Sequence, residues 1–150
     1  MTLTDQHCVH GAPALQDAEL APLLAQVPAW KRIDNPSGKR MKLADQHCVH
    51  GAPALGDAER APLLAQVPLW SLRDKRIERN YTFRDYHETI AFVNALAAMI
   101  HIEDHHPDLT VRYRHCLVAY TTHSAGHTVS LNDFICAAKA DAIYEERTHA

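Results

Sequence analysis

The sequence predicts an α+β fold: an antiparallel sheet of about four strands with helices packed on one face. Two observations carry this expectation. Apolar residues recur at spacings of three and four over two long stretches, as on the buried face of an amphipathic helix. Two other stretches are short, rich in β-branched and aromatic residues, and read as half-buried strands. Their order is strands, helix, strands, helix, and helices segregated to one side of antiparallel strands make an α+β domain.

Each element has its own justification. Asp57 to Val67 reads as a short acidic helix that ends before a proline. Ile77, Arg79, Tyr81 and Phe83 belong to a strand-like stretch bounded by charge. From Tyr86 to His105 the apolar residues Tyr86, Ile90, Val93, Leu96, Ala97 and Ile100 form one face of a helix. Pro107 lacks an N–H and disfavours the α conformation before it, which predicts a helix stop at about His105 and extended backbone at His106. Val111 to Thr122 alternates as one or two strands, with Cys116, Val118 and Tyr120 sharing a face. A last helix starts at about Leu131, where Ser130 and Asp133 have capping-box spacing. Its apolar stripe is Leu131, Phe134, Ile135, Ala138 and Ala142.

Chemistry concentrates in the second half of the chain. Asp104-His105-His106-Pro107 is followed by Tyr113, by Thr122-His123 and by Asp133. An imidazole changes charge near pH ~6.5, so three of them near one pocket supply proton donors and acceptors at neutral pH. At a helix C-terminus the carbonyl dipoles favour a cation by about 0.3 to 1 kcal/mol, which suits one histidine to act as general acid. Asp104 pushes the same way. Zinc on His101 and His105 is the competing reading, but Ile102 stands where the metalloprotease signature needs Glu, and no third ligand is evident. His87 and His115 read as surface residues, His127 as facing water rather than as a fourth imidazole of the pocket, Tyr113 and Tyr120 as sheet packing, and Cys116 and Cys136 as small core residues.

The combination of Asp-His-His-Pro, a nearby aromatic, Thr-His at a strand end and an Asp about ten residues later resembles the pterin-4a-carbinolamine dehydratase family. The resemblance runs over about residues 41 to 150 and supports the α+β architecture. It implies removal of water from a 4a-hydroxytetrahydropterin to give the quinonoid dihydropterin, as in tetrahydrobiopterin recycling, with no metal and no organic cofactor. It also implies that His105, His106 and His123 are the catalytic and binding histidines. Asp104 and the segment Thr121, Thr122, His123 and Ser124 would line the pterin pocket, and Asp133 matches as a possible support. Loss of hydroxide from a tertiary carbon needs a proton donor at oxygen, and the adjacent ring nitrogen must shed a proton. His105 and His123 are candidates for those roles, with His106 mainly in binding. The resemblance further implies a homodimer or homotetramer joined through strand edges and helices. One departure stands out: where the family commonly has an acidic residue and a glycine-rich turn, this chain has Ser124-Ala125-Gly126-His127. A rival function on the same fold is that of a dimerisation cofactor or transcriptional coactivator, since vertebrate relatives serve a homeodomain factor in that way.

Residues 4–30 recur as residues 44–70 with four differences in 27 positions. Each copy holds one short helix and cannot close a core alone. The expected organisation is therefore a duplicated extension, 1–40, that is mobile or peripheral, followed by a domain over 41–150 that resembles the pterin carbinolamine dehydratases. Met41 is a candidate internal start. Each copy also carries His-Cys-x-His, at His7, Cys8 and His10 and at His47, Cys48 and His50. Together the two copies offer the ligands of a zinc site, but a disordered polar lead-in is the expectation.

Charge and composition exclude other classes. The 150 residues are 47% hydrophobic and carry a formal charge of -3 with signs interspersed, so no nucleic-acid or membrane-binding face stands out. No apolar run approaches the ~20 residues of a membrane span, and the first residues lack the features of a signal peptide. Four cysteines, two of them duplicates of each other, give no disulfide framework, which suits a cytoplasmic setting.

Overall fold

The computed structural model describes residues 41–148, which belong to one compact unit, Met41–Ala150. The first copy of the duplicated segment, including His7, Cys8, His10 and the helix expected there, lies outside the described residues. Four strands, β1 (Ser71–Arg73), β2 (Arg76–Thr82), β3 (Asp108–Val111) and β4 (His115–Tyr120), form an antiparallel sheet in the order β1-β2-β4-β3. Three α-helices accompany it: α1 (Asp57–Leu64), α2 (Tyr86–Glu103) and α3 (Leu131–Thr148). The predicted α+β class is the observed one.

Period-two alternation decides which sheet face is covered. Ile77 and Tyr81 of β2 and Cys116, Val118 and Tyr120 of β4 are buried together with Phe92 and Leu96 of α2 and Phe134, Ala137 and Ala140 of α3. Aromatic rings fill much of this layer, Tyr81 and Phe92 lying 4.7 Å apart and Phe83 and Phe92 5.2 Å apart. Behind them Trp70, Arg79 and Tyr81 all donate to one oxygen of Asp141, so their polar ends are satisfied where they leave water.

Several boundaries differ from expectation. Strand β1 was not foreseen; it joins β2 through a two-residue turn whose first residue, Asp74, takes a left-handed conformation (φ 53). Strand β3 starts at Asp108, directly after the proline, and only β4 lies fully within the predicted alternating run. Helix α1 stops at Leu64 rather than Val67, and hydrogen bonds of the 3-10 kind carry the chain on to Val67. Helix α2 ends at Glu103 with Asp104 in the left-handed region (φ 50), so a left-handed C-cap, not the proline, makes the stop. Its face is also rotated: Thr89, Phe92, Leu96 and Glu103 are buried, whereas Tyr86 and Ala97 are exposed. Thr89 can be buried because its hydroxyl bonds the carbonyls of Asp85 and Tyr113. In α3 the first half is buried almost all round, Asn132 to Ala137, instead of showing a narrow stripe.

Segment 43–56, which runs into the second copy, is not a disordered lead-in. Leu43 is buried in the core, and the backbone N–H groups of Cys48 and Val49 bond the side chains of Glu103 and Asn132. Asn132 in turn donates to the Val49 carbonyl, and Ala54 bridges to Ser130. Satisfied backbone groups on both sides are what hold an irregular segment against a helix.

Candidate active site

The turn after α2 sets the site. Left-handed Asp104 reverses the chain, and the following residues lead into β3, so the two adjacent histidines leave the backbone differently. His105 swings inward, its side chain 12% exposed, while His106 stays exposed. The His105 ring stacks on the buried ring of Tyr120, centroids 5.5 Å apart and planes 12° apart, and its Nε2 meets Asp133 Oδ1 at 2.6 Å.

Asp133 is fully buried and is the hub of a polar network at the start of α3. Its Oδ2 accepts from the Ser130 backbone N–H and from the Thr122 hydroxyl, both at 2.8 Å. The first of these is half of the expected capping box. Thr122 has one hydroxyl proton and spends it on Asp133, so at the 2.7 Å contact between the two hydroxyls Ser130 is the donor. The chain of donation thus runs Ser130 to Thr122 to Asp133, with His105 donating from the other side. With Asp133 accepting, the neutral imidazole carries its proton on Nε2 and turns the Nδ1 lone pair away from the carboxylate.

A cavity of about 530 Å³ opens in front of this network. Asp104, His105, His106, Thr121, Thr122, His123 and Ser124, the residues singled out in the sequence, all line it. Asp133 stands behind His105 rather than in the wall. His123 begins a short 3-10 turn, His123–Ala125, closed by Gly126 at φ 80, a conformation that suits glycine. His127, exposed, meets the His123 ring edge-on with centroids 4.9 Å apart. Thr121 points its hydroxyl to the Lys75 carbonyl, tying the cavity rim to the β1–β2 turn.

The opposite wall was not foreseen. Cys48, Val49, His50 and Gly51 of the second repeat line the cavity together with Ile102, Glu103 and Asn132. Glu103 anchors that wall, accepting from the Cys48 N–H at 2.8 Å, with Lys139 and His47 at 3.1 and 3.0 Å. Burial pushes the Glu103 carboxyl up, but the Cys48 N–H, Lys139 and His47 together outweigh it and hold the group below the ordinary carboxylate range. Tyr113, expected in sheet packing, is instead 66% exposed and stacks on Tyr86. His87, His101 and His115 are exposed, and Cys116 and Cys136 are buried as expected.

The family model described as pterin 4 alpha carbinolamine dehydratase matches residues 53–143, more than half of the chain and the whole span from α1 to the Asp133 network. The chain belongs to this family. A protein of Nitrosomonas eutropha, provisionally named a pterin-4-alpha-carbinolamine dehydratase, is 56% identical over 72 residues, covering 48% of this chain and 63% of that protein. A Nitrosospira multiformis protein of the same provisional name is 54% identical over 71 residues, covering 47% and 62%. The matched stretch thus spans less than two thirds of these dehydratase relatives. Among solved structures, a Brucella melitensis protein described as a transcriptional coactivator/pterin dehydratase superposes with a TM-score of 0.58 at 28% identity, covering 61% of this chain and 98% of that one.

Proposed function

We propose that this dehydratase-family chain removes water from a 4a-hydroxytetrahydropterin, returning the quinonoid dihydropterin in tetrahydrobiopterin recycling. The observation that carries the reading is the buried Asp133–His105 pair, 2.6 Å apart, behind a cavity whose wall also holds His106 and His123. A cavity of about 530 Å³ lies within the roughly 300–1,000 Å³ of small-ligand pockets.

Dehydration breaks the C4a–O bond. A proton delivered to the departing hydroxyl lets it leave as water, and the adjacent ring nitrogen gives up its proton as the C=N bond forms. His105 and His123 take these two roles in the proposal, and His106, exposed at the rim, binds the substrate. Asp133 is a positioning residue: it fixes the ring plane and tautomer of His105, with Tyr120 as the stacking floor. Asp104 and the Thr121 to Ser124 segment shape the pocket edge. No resident metal or organic cofactor takes part in this scheme.

The proposal extends to assembly and location. Strands β1 and β3 end the sheet with backbone groups unpaired among the described residues, which supports a homodimer or homotetramer that covers them. Cys48, Cys116 and Cys136 are free thiols, in keeping with the cytoplasm. The coactivator reading draws on the resemblance and on the double name of the Brucella melitensis protein, and no described feature of this chain favours it over the dehydratase reading. Purified protein added to freshly generated 4a-hydroxytetrahydropterin should speed the appearance of the quinonoid dihydropterin, followed by absorbance, well beyond its spontaneous rate. A rate equal to the protein-free control rules the reading out.

A further inference from the structure

A pair of thiols lies where the repeat segment meets α3. Cys48 Sγ and Cys136 Sγ are 3.4 Å apart, across 88 residues of chain. Cys48 is half-buried and lines the cavity, whereas Cys136 is fully buried behind it. The hydrogen bonds from Cys48 to Glu103 and between Val49 and Asn132 hold the two sulfurs together. We propose that Cys48 and Cys136 form an oxidation site for small hydroperoxides that closes reversibly to a disulfide and so fixes one wall of the cavity.

The division of labour follows from access. The Cys48 sulfur, reachable from the cavity, attacks the terminal peroxide oxygen as its thiolate. The O–O bond breaks, the departing oxygen takes a proton and leaves as water or an alcohol, and Cys48 becomes a sulfenic acid. The Cys136 sulfur then attacks the Cys48 sulfur, expelling hydroxide that takes the Cys136 proton as water. The peroxide is reduced by two electrons and the thiol pair is oxidised by two. Contact with Cys48 and burial both push the Cys136 thiol up, so it stays protonated while Cys48 takes the first step, and the 3.4 Å contact is what places it for the second. Cys116 is fully buried, does not line the cavity and is pushed up to about 11 by burial, so a peroxide does not reach it. Closure shortens the sulfur separation from 3.4 Å to about 2.05 Å, a shift that the irregular segment 47–51 can absorb against a rigid helix. The proposal needs only the two sulfurs and stands apart from the dehydration reading.

The test uses the folded full chain and its Cys8→Ser variant, treated with hydrogen peroxide, digested without reduction and mapped by mass spectrometry. The expected product is a Cys48–Cys136 linked peptide in both proteins, lost on treatment with dithiothreitol. The oxidised form should melt higher by on the order of 5 °C, because the bond closes a long loop. Cys48→Ala and Cys136→Ser should each abolish the link and the shift. Cys48 recovered as a sulfinic or sulfonic acid, or linked to Cys8, with Cys136 still a thiol, overturns the proposal. Peptide mapping of the wild-type chain decides the matter even if a variant fails to fold.

Discussion

At the residue scale the account turns on which partner each histidine has. His105 donates to Asp133 and stacks on Tyr120, while His106, one position later, is exposed. Asp133→Asn keeps the shape of the side chain, but its amide nitrogen cannot accept from His105 and the wrong tautomer is favoured. We expect turnover to fall by roughly 10²-fold with little change in substrate affinity, together with a displaced pH–rate profile. A purely structural role would lower the melting point and leave the pH profile of the folded fraction unmoved. Glu103 gives a second residue-scale prediction. Its carboxyl is held below the ordinary range, so its ionised form contributes stability that is present above the unfolded value of about 4.3 and is lost as pH falls through the lower folded value. The Glu103→Gln melting point, followed from pH 7 to pH 3, should lie below wild type at neutral pH and converge on it in acid. A constant gap across the range would contradict this linkage. The Asp-His-His-Pro and Thr-His residues were legible in the sequence because their chemistry is local and their composition unusual. The Cys48 to Gly51 wall was not, because its contacts to Glu103 and Asn132 span more than fifty residues and nothing in a short polar stretch announces them.

At the scale of elements, local pattern succeeded where the element is long and failed where it is short. Strands β1 and β3 have three and four residues, mostly exposed, too few for alternation to show. Sequence spacing puts the α2 face too close to Tyr86 and Ala97, because Thr89 counts as polar in sequence, whereas its hydroxyl proton finds carbonyl oxygens of Asp85 and Tyr113 3.0 Å away. The face through Phe92 and Leu96 joins the helix to the sheet. Phe92 is 2% exposed and touches the rings of Tyr81, Phe83 and Tyr144, so Phe92→Ala should cost about 3–5 kcal/mol in denaturant unfolding. A loss below 1 kcal/mol would mean that the layer between α2 and the sheet is not packed as described. Because Glu103 and the turn carrying His105 lie at the far end of α2, the same variant should lower turnover only through the unfolded fraction.

For the whole molecule the central observation is a segment doubled in the sequence, whose second copy packs into the described domain. Leu55, Leu63, Leu64, Val67 and Trp70 of the second copy pack in or against the core, and that copy runs directly into β1. Its direct link gives it the higher effective concentration at this surface over the first copy. We propose that residues 1–40 are dispensable for fold and chemistry. A chain beginning at Met41 should match the full chain in thermal midpoint within a few degrees and in pterin turnover within about twofold. Loss of folding on truncation would show that the first copy completes the domain. The α+β class was legible because it depends on the order of elements, while sheet order and the docking of the repeat depend on pairings that sequence periodicity does not encode.

The claim that unites these scales is that a carboxylate-held imidazole moves a proton in the dehydration. Its most direct test is the turnover of His105→Ala on 4a-hydroxytetrahydropterin, with circular dichroism and thermal midpoint recorded on the same sample. The account predicts a 10²- to 10⁴-fold loss in an intact fold, a similar loss for His123→Ala, and a smaller effect, mainly on affinity, for His106→Ala. Wild-type kinetics in His105→Ala would contradict it.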